Sequence, residues 1–287
     1  MSGALRERTG IILSSDANYV MKSHLPAHSA DIWQNILDQA RVVRMSEPVL
    51  AEYLDNSILN HGTLDEALAH RLVKAFGGDG LSETLLRETL TSVNISGELG
   101  AAASADITAT LERDSACRGS LEVFLFYKGF IALQAYRLAH ALWGEQRHAF
   151  ALLLQSQTST RFSVDIHPAA TIGRGIMLDH ATGIVIGETA RIADAVSIMQ
   201  SVTLGGTGKE NGDRHPKIGF GVLIGPGAKI LGNISVGRGA MIAASSVVLK
   251  TVPQHAIVAG VPARIVGDTQ TDTPADAMNH FFKYNGV

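Results

Sequence analysis

Apolar residues recur at helical spacing through the first half of the chain, from about Ala30 to Thr160. The spacing is clearest in two segments, the first with Ile32, Trp33, Ile36, Leu37 and Ala40, the second with Phe130, Leu133, Ala135, Leu138 and Leu142. Residues three and four positions apart share one face of an α-helix. The pattern therefore predicts a helical domain over residues 30–163, with about six or more helices.

Two helix starts can be read from the same segment. Thr63 with Glu66 three residues later forms a capping box, in which two side chains bind the free amides of the first turn. Ser46 before Glu47 and Pro48 predicts a second start, because proline suits the first turn of a helix.

After Val164 the apolar pattern changes to a period of six residues, in three runs that follow one another: Ile166, Ile172, Leu178 and Ile184; Ile186, Ile192, Ile198 and Leu204; Ile218, Ile224, Ile230, Val236, Ile242 and Val248. Small residues, often glycine, stand beside the aliphatic ones. This is the hexapeptide signature of a parallel β-helix, in which the aliphatic residue points into the coil and the small residue allows a tight corner. The sequence therefore predicts an α+β protein, with an N-terminal all-helical domain followed by a left-handed parallel β-helix over residues 164–267.

The six-residue register slips twice. The first slip adds two residues between Leu178 and Ile186, across residues 179–183, and the second lies between Leu204 and Ile218. Residues 205–217 must leave the coil as an excursion. Both breaks carry histidine and charged residues, and loops held on a rigid scaffold are a usual place for chemistry.

Composition narrows the class of function. The 24 Lys and Arg residues nearly balance 27 Asp and Glu, which excludes the broad basic surface of a nucleic-acid-binding protein. The apolar run at residues 11–13 is too short for a signal peptide, and no segment has the ~18 uninterrupted apolar residues of a membrane span. We therefore expect a cytoplasmic location. The single cysteine, Cys117, cannot form an internal disulfide or a Cys-rich metal cluster.

The sequence resembles the serine acetyltransferases. The segments that carry the resemblance are residues 164–170, 175–183, 200–209, 212–218 and 259–267, and in the helical half residues 127–130 and 134–137. These strings are far more specific than a hexapeptide repeat, which by itself indicates only a superfamily of acyltransferases. The resemblance implies transfer of an acetyl group from acetyl-CoA to the hydroxyl of L-serine, the first step of cysteine biosynthesis from serine. It implies acetyl-CoA as a co-substrate and no permanently bound cofactor.

The resemblance assigns His180 as the general base. Removing a proton from an alcohol as it attacks a thioester suits a histidine. Asp165 is expected to orient the imidazole of His180. The two residues are 15 positions apart, nearly one coil of ~18 residues, and we expect them on adjacent rungs. No serine or cysteine stands in a recognisable nucleophile setting, which favours direct transfer.

The serine pocket should combine a cation, an anion and the base. Arg214 can bind the carboxylate of serine with its guanidinium, and His215 can add a donor. Asp179 and Asp114 match positions that the family uses for the amino acid. Ser115 departs from the proline of the family motif after Asp114.

The coenzyme needs a groove with small side chains and cations for its phosphates. The expected contacts are Gly205, Gly206, Lys217, Ala228, Ala244 and Ser245. Lys229 is a further candidate phosphate partner, while Pro226 replaces a small residue that the family often has.

The resemblance also implies partners. It implies a hexamer built from two trimers through the helical domain, and inhibition by L-cysteine at the serine site. Residues 268–287 are expected to form a flexible tail, and residues 1–29 an N-terminal extension. In the family this tail ends in isoleucine and inserts into O-acetylserine sulfhydrylase, whereas this chain ends in Val287.

Three alternatives remain open at this point. An acetyltransferase for another hydroxyl or amine acceptor shares the same repeat. A β-helical zinc enzyme would use His167, His180 and His215 as ligands. A non-catalytic β-helical scaffold leaves the charged register breaks unexplained.

Overall fold

The computed structural model describes residues 29–78, 81–93, 98–208 and 211–280 of the chain. Within these residues the first half is helical, with α1 (Ser29–Ser46), α2 (Ala51–Leu54), α3 (Leu64–Phe76), α4 (Glu83–Ser92), α5 (Glu98–Arg113), α6 (Ser120–Phe126), α7 (Lys128–Gly144) and α8 (His148–Phe162). A 3-10 turn (Pro48–Leu50) precedes α2, and a π-helical turn (Asp55–Leu59) follows it. The predicted helical half is confirmed. Residues 1–28 of the expected N-terminal extension lie outside the described residues.

One of the two predicted helix starts is confirmed. The Thr63 side chain accepts a hydrogen bond from the Glu66 N–H (3.2 Å), and the Glu66 carboxylate accepts one from the Gly62 N–H (2.7 Å). The prediction for Ser46 was wrong. Ser46 is the last residue of α1, and its hydroxyl donates to the carbonyl of Val43 in the preceding turn (3.2 Å). Pro48 alone begins the next turn.

Beyond α8 the chain winds into a parallel β-helix. Its strands are β1 (Val164–Ile166), β2 (Thr171–Ile172), β3 (Met177–Leu178), β4 (Ile184–Ile186), β5 (Arg191–Ile192), β6 (Ser197–Ile198), β7 (Thr203–Gly205), β8 (Lys217–Ile218), β9 (Leu223–Ile224), β10 (Lys229–Leu231), β11 (Ser235–Val236), β12 (Met241–Ile242), β13 (Val247–Val248), β14 (Ala256–Gly260) and β15 (Ala263–Asp268). They form three faces: a first sheet of order β1-β4-β7-β10-β13, a second of order β11-β8-β5-β2 and a third of order β15-β14-β12-β9-β6-β3. The predicted fold class is confirmed.

Strand pairing reproduces both register slips. Val185 pairs with Thr203, eighteen residues on, which is the length of a regular coil. The coil before it is two residues longer, because Val164 pairs with Ile184. The coil that holds the excursion is eight residues longer, because Thr203 pairs with Lys229. The aliphatic residues of the repeat fill one continuous buried column inside the coils.

A buried ion pair fixes the helical domain on the β-helix. Arg137 Nη2 lies 2.8 Å from Asp106 Oδ2 and also donates to the Gly173 carbonyl (2.8 Å). The second oxygen of Asp106 accepts the Ile176 N–H (2.9 Å). Burial raises the pKa of Asp106, against the opposing effect of Arg137 and these hydrogen bonds. Such a pair is costly to break, since either partner alone would leave a buried charge.

The start of the expected tail is packed against the fold. After the antiparallel pair β14–β15, a short helix α9 (Pro274–Ala277) buries Ala275, whose N–H donates to the Gly221 carbonyl (3.2 Å). Asp276 accepts a hydrogen bond from the buried Arg113 (2.9 Å). The tail is therefore not a free linker at Pro274–Ala277, because Ala275 makes a small apolar contact within an otherwise polar sequence. Val287 lies outside the described residues.

In the described part of the chain, no helix is both long enough and apolar enough to cross a membrane.

Candidate active site

His180 lies in a strained turn between β3 and β4. His180 and Ala181 both have positive φ angles, 54° and 58°, a conformation that costs energy for residues other than glycine. The Thr182 N–H donates to the His180 carbonyl (2.7 Å), and the Gly183 N–H donates to the Ser163 carbonyl on the neighbouring coil (2.7 Å). The turn leaves the imidazole of His180 74% exposed. Ser201 and Ser245 have the same positive φ at later turns of this corner (59° and 57°), so the conformation belongs to the turns of the β-helix.

A cavity of about 380 Å³ opens beside this turn, between the β-helix and the helical domain. We call it the acidic pocket; it is lined by Asp114, Ala116, Phe126, Tyr127, Lys128, Gly129, Leu178, Asp179 and His180. His180 Nε2 lies 3.8 Å from Asp179 Oδ1. One histidine and two carboxylates thus face a common space.

Asp114 is held rigidly at the end of α5. The Tyr127 hydroxyl donates to one carboxylate oxygen (2.9 Å), and the Ala116 N–H donates to the other (2.8 Å). Burial and the hydrogen bond to Asp114 raise the pKa of Tyr127, so the hydroxyl keeps its proton and remains a donor. Asp114 therefore lines the pocket from the helical domain.

The surroundings of Asp179 perturb its carboxyl group. Burial raises the pKa of Asp179, and the charge of Asp114 raises it further, while His180 and His280 lower it. His280 follows α9, and burial lowers its pKa. Two carboxylates close enough to influence each other favour a bound cation between them.

The first two residues of α7 support the His180 turn. Lys128 Nζ donates to Thr182 Oγ1. Gly129 approaches β3 so closely that an added Cβ would lie 2.1 Å from the Leu178 carbonyl oxygen. Only glycine permits this approach, and it sets the distance between α7 and the turn.

A second group of polar residues lies at the corner between the first and second sheets. This arginine cluster contains Glu188, Thr189, Arg214, His215 and Lys217. Arg214 Nη2 donates to Glu188 (2.7 Å), and the Thr189 hydroxyl oxygen accepts the backbone N–H groups of Arg214 and His215 (3.0 and 3.1 Å). The cluster thereby fixes the point at which the excursion returns to the coil.

His215 is buried within this cluster. Its Nδ1 lies 2.8 Å from Thr189 Oγ1, and an added Cβ at Gly187 would lie 2.0 Å from its Nε2. Burial lowers the pKa of His215, and the charge of Arg214 lowers it further. The imidazole therefore favours its neutral form.

Asp165 and His167 belong with the arginine cluster. Gln155 Nε2 donates to Asp165 Oδ1 (2.7 Å). Burial lowers the pKa of His167, Glu188 and Asp165 raise it, and Arg214 lowers it again. The charges of Asp165, Glu188 and Arg214 therefore all act on the imidazole of His167.

Within one chain the structure does not pair Asp165 with His180, so the expected placement on adjacent rungs of one coil is not seen. Asp165 lies within β1 and stacks on Val185 of β4, whereas His180 lies in the turn before β4. The reason is the first coil, which has twenty residues, so a separation of fifteen does not return to the same position. Among the described residues no hydrogen bond or ion pair connects the acidic pocket to Arg214 or His215.

Ala244 and Ser245 lie exposed at the same corner as the His180 turn. Backbone hydrogen bonds of 2.8–2.9 Å connect successive turns at this corner: Ser201 to Thr182, Gly227 to Gln200, and Ser245 to Pro226. The corner forms a ladder of turns that leads away from His180.

The other predicted coenzyme contacts lie near the arginine cluster. Gly205 ends β7, and an added Cβ at Gly206 would lie 3.4 Å from Arg214 Cγ. Lys217 Nζ donates to the Thr189 carbonyl (3.0 Å) and to Asp213 (2.5 Å). Protein oxygens thus already engage the ammonium that the sequence assigned to a phosphate.

The prediction that Ala228 contacts the coenzyme was wrong. Its side chain is 0% exposed and packs in the core of the β-helix. Its N–H donates to Gly225 and its carbonyl accepts from Thr203, so no group of Ala228 is available to a ligand. The six-residue period places it before β10 as an inward-pointing residue.

Sequence reasoning missed Glu188 and Thr189. The signal available in the sequence was their position directly after Gly187. One coil later, the excursion leaves the β-helix at the same corner.

The three histidines that the zinc alternative would use lie at different corners. His180 is at one corner, and His167 and His215 are at another. Among the described residues no set of three His, Cys, Asp or Glu side chains is placed to hold a metal ion.

Comparison with known proteins gives consistent matches. The family model for the N-terminal region of serine acetyltransferase matches residues 32–135, and the model for six bacterial transferase hexapeptide repeats matches residues 215–250. The serine acetyltransferase of Salmonella typhimurium is 52% identical over 257 residues, which cover 89% of this chain and 93% of that protein.

Solved structures match over most of the chain as well. A serine acetyltransferase in complex with cysteine has a TM-score of 0.86 at 49% identity, covering 89% of this chain and all of that chain. The Brucella abortus serine acetyltransferase in complex with coenzyme A has a TM-score of 0.81 at 50% identity, covering 83% of this chain and 96% of that chain.

Proposed function

The chain belongs to the serine acetyltransferase family, and from this premise we propose that it transfers an acetyl group from acetyl-CoA to the hydroxyl of L-serine. The observation that carries the proposal is the acidic pocket, in which an exposed histidine faces two carboxylates. A base and a cation-binding pair are what an amino acid with a reacting hydroxyl requires. The products are O-acetyl-L-serine and coenzyme A.

His180 is the general base of this proposal. It takes the proton of the serine hydroxyl as the oxygen attacks the thioester carbonyl and forms a tetrahedral intermediate. Collapse breaks the carbon–sulfur bond, and the departing thiolate takes the proton back from the imidazolium. No acyl-enzyme is needed, and His180 ends the cycle in its neutral form.

Asp114 and Asp179 bind the serine ammonium in this account. Both carboxylates line the pocket that contains His180. A cation between them relieves their mutual repulsion, which contributes to the raised pKa of Asp179. Acidification should weaken this contact, because protonation of Asp179 removes its charge.

Arg214 and His215 bind the serine carboxylate, and we infer that they come from a neighbouring copy of the chain. In one chain they lie at a different corner of the β-helix from His180. A ring of identical copies brings one corner of each against a different corner of the next. The trimer implied by the sequence resemblance has this geometry, and Asp165 would reach His180 by the same route.

The coenzyme groove follows the corner of Ala244 and Ser245, with Gly205 and Gly206 contributed by the neighbouring copy. This assignment is supported by the ladder of small turns that leads to His180. The complex of the Brucella abortus relative with coenzyme A supports a coenzyme site in the same fold.

L-Cysteine is the expected inhibitor, because it keeps the carboxylate and ammonium of serine. The structure of a relative in complex with cysteine supports this proposal. The hexamer, the cytoplasmic location and the contact of the Val287 terminus with O-acetylserine sulfhydrylase stay predictions.

Release of free thiol from acetyl-CoA tests the function. The purified chain is assayed with L-serine, L-threonine, L-homoserine, a hexose and a primary amine. We expect the highest kcat/KM with L-serine and inhibition by L-cysteine that is competitive with serine. A higher kcat/KM for another acceptor would show that L-serine is not the preferred substrate.

A further inference from the structure

Arg113, the last residue of α5, is a buried cation that directly precedes Asp114 in the chain. Its side chain is 4% exposed. Burial lowers the pKa of Arg113, while the charge of Asp276 and the hydrogen bond to it raise the pKa. A buried guanidinium is costly unless an opposite charge and hydrogen bonds compensate it. The position of Arg113 therefore depends on its partners.

One side of the guanidinium is bound to the β-helix. Arg113 Nη1 donates to the Gly175 carbonyl (2.9 Å) and to Ser197 Oγ (3.3 Å). Gly175 lies just before β3, and Ser197 of β6 pairs with Met177 of β3. Asp179 follows β3 directly. Arg113 therefore connects the end of α5 to the coil that carries Asp179.

The other side of the guanidinium is bound to α9. Arg113 Nε and Nη2 each lie 2.9 Å from Asp276 Oδ1. The carbonyl of Ala275 accepts a hydrogen bond from the Ser197 hydroxyl (3.1 Å), and the Ala275 N–H donates to the Gly221 carbonyl (3.2 Å). These contacts hold α9 on the β-helix, where its carboxylate compensates the charge of Arg113.

The contacts of Arg113 act on the spacing of two carboxylates in the acidic pocket. Asp114 is joined to Arg113 by one peptide bond, so the two Cα atoms are only ~3.8 Å apart. The Asp114 N–H also continues the hydrogen bonding of α5, since it donates to the Thr110 carbonyl (2.9 Å). A shift of Arg113 would therefore move Asp114 relative to Asp179.

We propose that Arg113 is a positioning residue of the serine site: bound by Asp276, it holds Asp114 at the distance from Asp179 that suits the serine ammonium. This inference rests on the proposed function, in which the two carboxylates bind that ammonium. Arg113 itself does not line the acidic pocket, so it acts through Asp114. Arginine suits this role, because its separate N–H groups can bind the β-helix and α9 at the same time.

Steady-state kinetics of Asp276→Asn test the proposal. Asparagine keeps the shape of the side chain but removes its charge, and the fold should survive because Asp276 is 45% exposed. We expect the KM for L-serine to rise about threefold or more, with kcat and the KM for acetyl-CoA within about twofold of the wild type. A change confined to the KM of one substrate reports weaker binding of that substrate.

Two further variants are measured in the same assay. Asp272→Asn is the matched control, because Asp272 lies just before α9, is 74% exposed and pairs with His255 instead (3.6 Å). Its KM for serine should stay within about twofold of the wild type. Arg113→Lys keeps the charge but loses the fork, and the KM for serine should rise about tenfold or more. If circular dichroism shows that Arg113→Lys is unfolded, Asp276→Asn decides.

A double-mutant cycle shows whether Asp276 acts through Asp114. Asp114→Asn alone should raise the KM for serine. Adding Asp276→Asn should then change that KM by less than about twofold, because the carboxylate that Arg113 positions is already neutral. If the two effects multiply instead, Asp276 acts independently of Asp114, and the proposal is overturned.

The outcomes separate this inference from the proposed function. An unchanged KM for serine in Asp114→Asn contradicts the binding role proposed for Asp114, and with it the role of Arg113. A raised KM in Asp114→Asn with an unchanged KM in Asp276→Asn overturns the positioning role alone, whatever the melting temperature of Asp276→Asn. An equal rise in Asp272→Asn and Asp276→Asn also overturns it.

Discussion

At the scale of single residues, the proposed acetyl transfer depends on the imidazole of His180, which a strained turn presents to solvent. His180→Ala should lower turnover by about 10²–10⁴-fold, the usual contribution of a positioned base. The melting temperature should stay close to that of the wild type, because the side chain is exposed. Near-normal turnover in the thiol-release assay would exclude His180 as the base.

Asp165 should matter less than His180. Asp165→Asn preserves the shape of the side chain and its contact with Gln155 but removes the charge that steadies an imidazolium. We expect turnover between those of the wild type and His180→Ala in the same assay. A loss as large as that of His180→Ala would instead give Asp165 a direct part in the chemistry.

The candidate site could be predicted only in part from single residues. The sequence identified His180, Asp114 and Asp179, and the structure brings all three to one pocket. The six-residue period could have predicted the burial of Ala228, because it places the side chain inside the coil. The contact between Thr189 and Arg214 was not available, because it depends on how the excursion folds back.

At the scale of elements, the position of α7 against β3 controls the His180 turn. Gly129→Ala would place a Cβ about 2 Å from the Leu178 carbonyl, and relief of such overpacking typically costs ~1–3 kcal/mol. We expect a lower melting temperature and reduced acetyl transfer, because Lys128 would move away from Thr182.

Gly144→Ala is the matched control for this prediction. Gly144 is the last residue of the same helix, and an added Cβ there meets no atom within 4 Å. Alanine should be neutral or should stabilise by up to ~1 kcal/mol through its helix propensity. Equal stability and activity of the two variants would show that the contact at Gly129 does not position the turn.

The elements themselves were largely predictable, because their signals are periodic. The six-residue repeat fixed the strands of the β-helix, and the two register slips located the His180 turn and the excursion. The helix α9 was not predicted, since its four residues lie in a polar stretch and its burial depends on Gly221 and Arg113.

At the scale of the whole molecule, the residues proposed to act on serine are divided between two corners of one β-helix. The acidic pocket holds the proposed base, and the arginine cluster holds the residues proposed to bind the serine carboxylate. Sequence separation did not reveal this division, because the long first coil and the excursion shift the registers of the two groups. A site assembled from neighbouring copies would bring the acidic pocket of one copy to the arginine cluster of the next.

Mixing two inactive variants shows whether neighbouring copies of the chain share one site. His180→Ala lacks the base, and the double variant Arg214→Ala with His215→Ala lacks the carboxylate-binding side chains, so each alone should be nearly inactive. The two are denatured, mixed in equal amounts and refolded, and thiol release is measured with L-serine below its KM. Random assortment of copies in a symmetric ring restores about a quarter of the wild-type sites, and we predict activity near that level. Activity no higher than that of the separate variants, in a mixture shown to have exchanged subunits, would contradict the account.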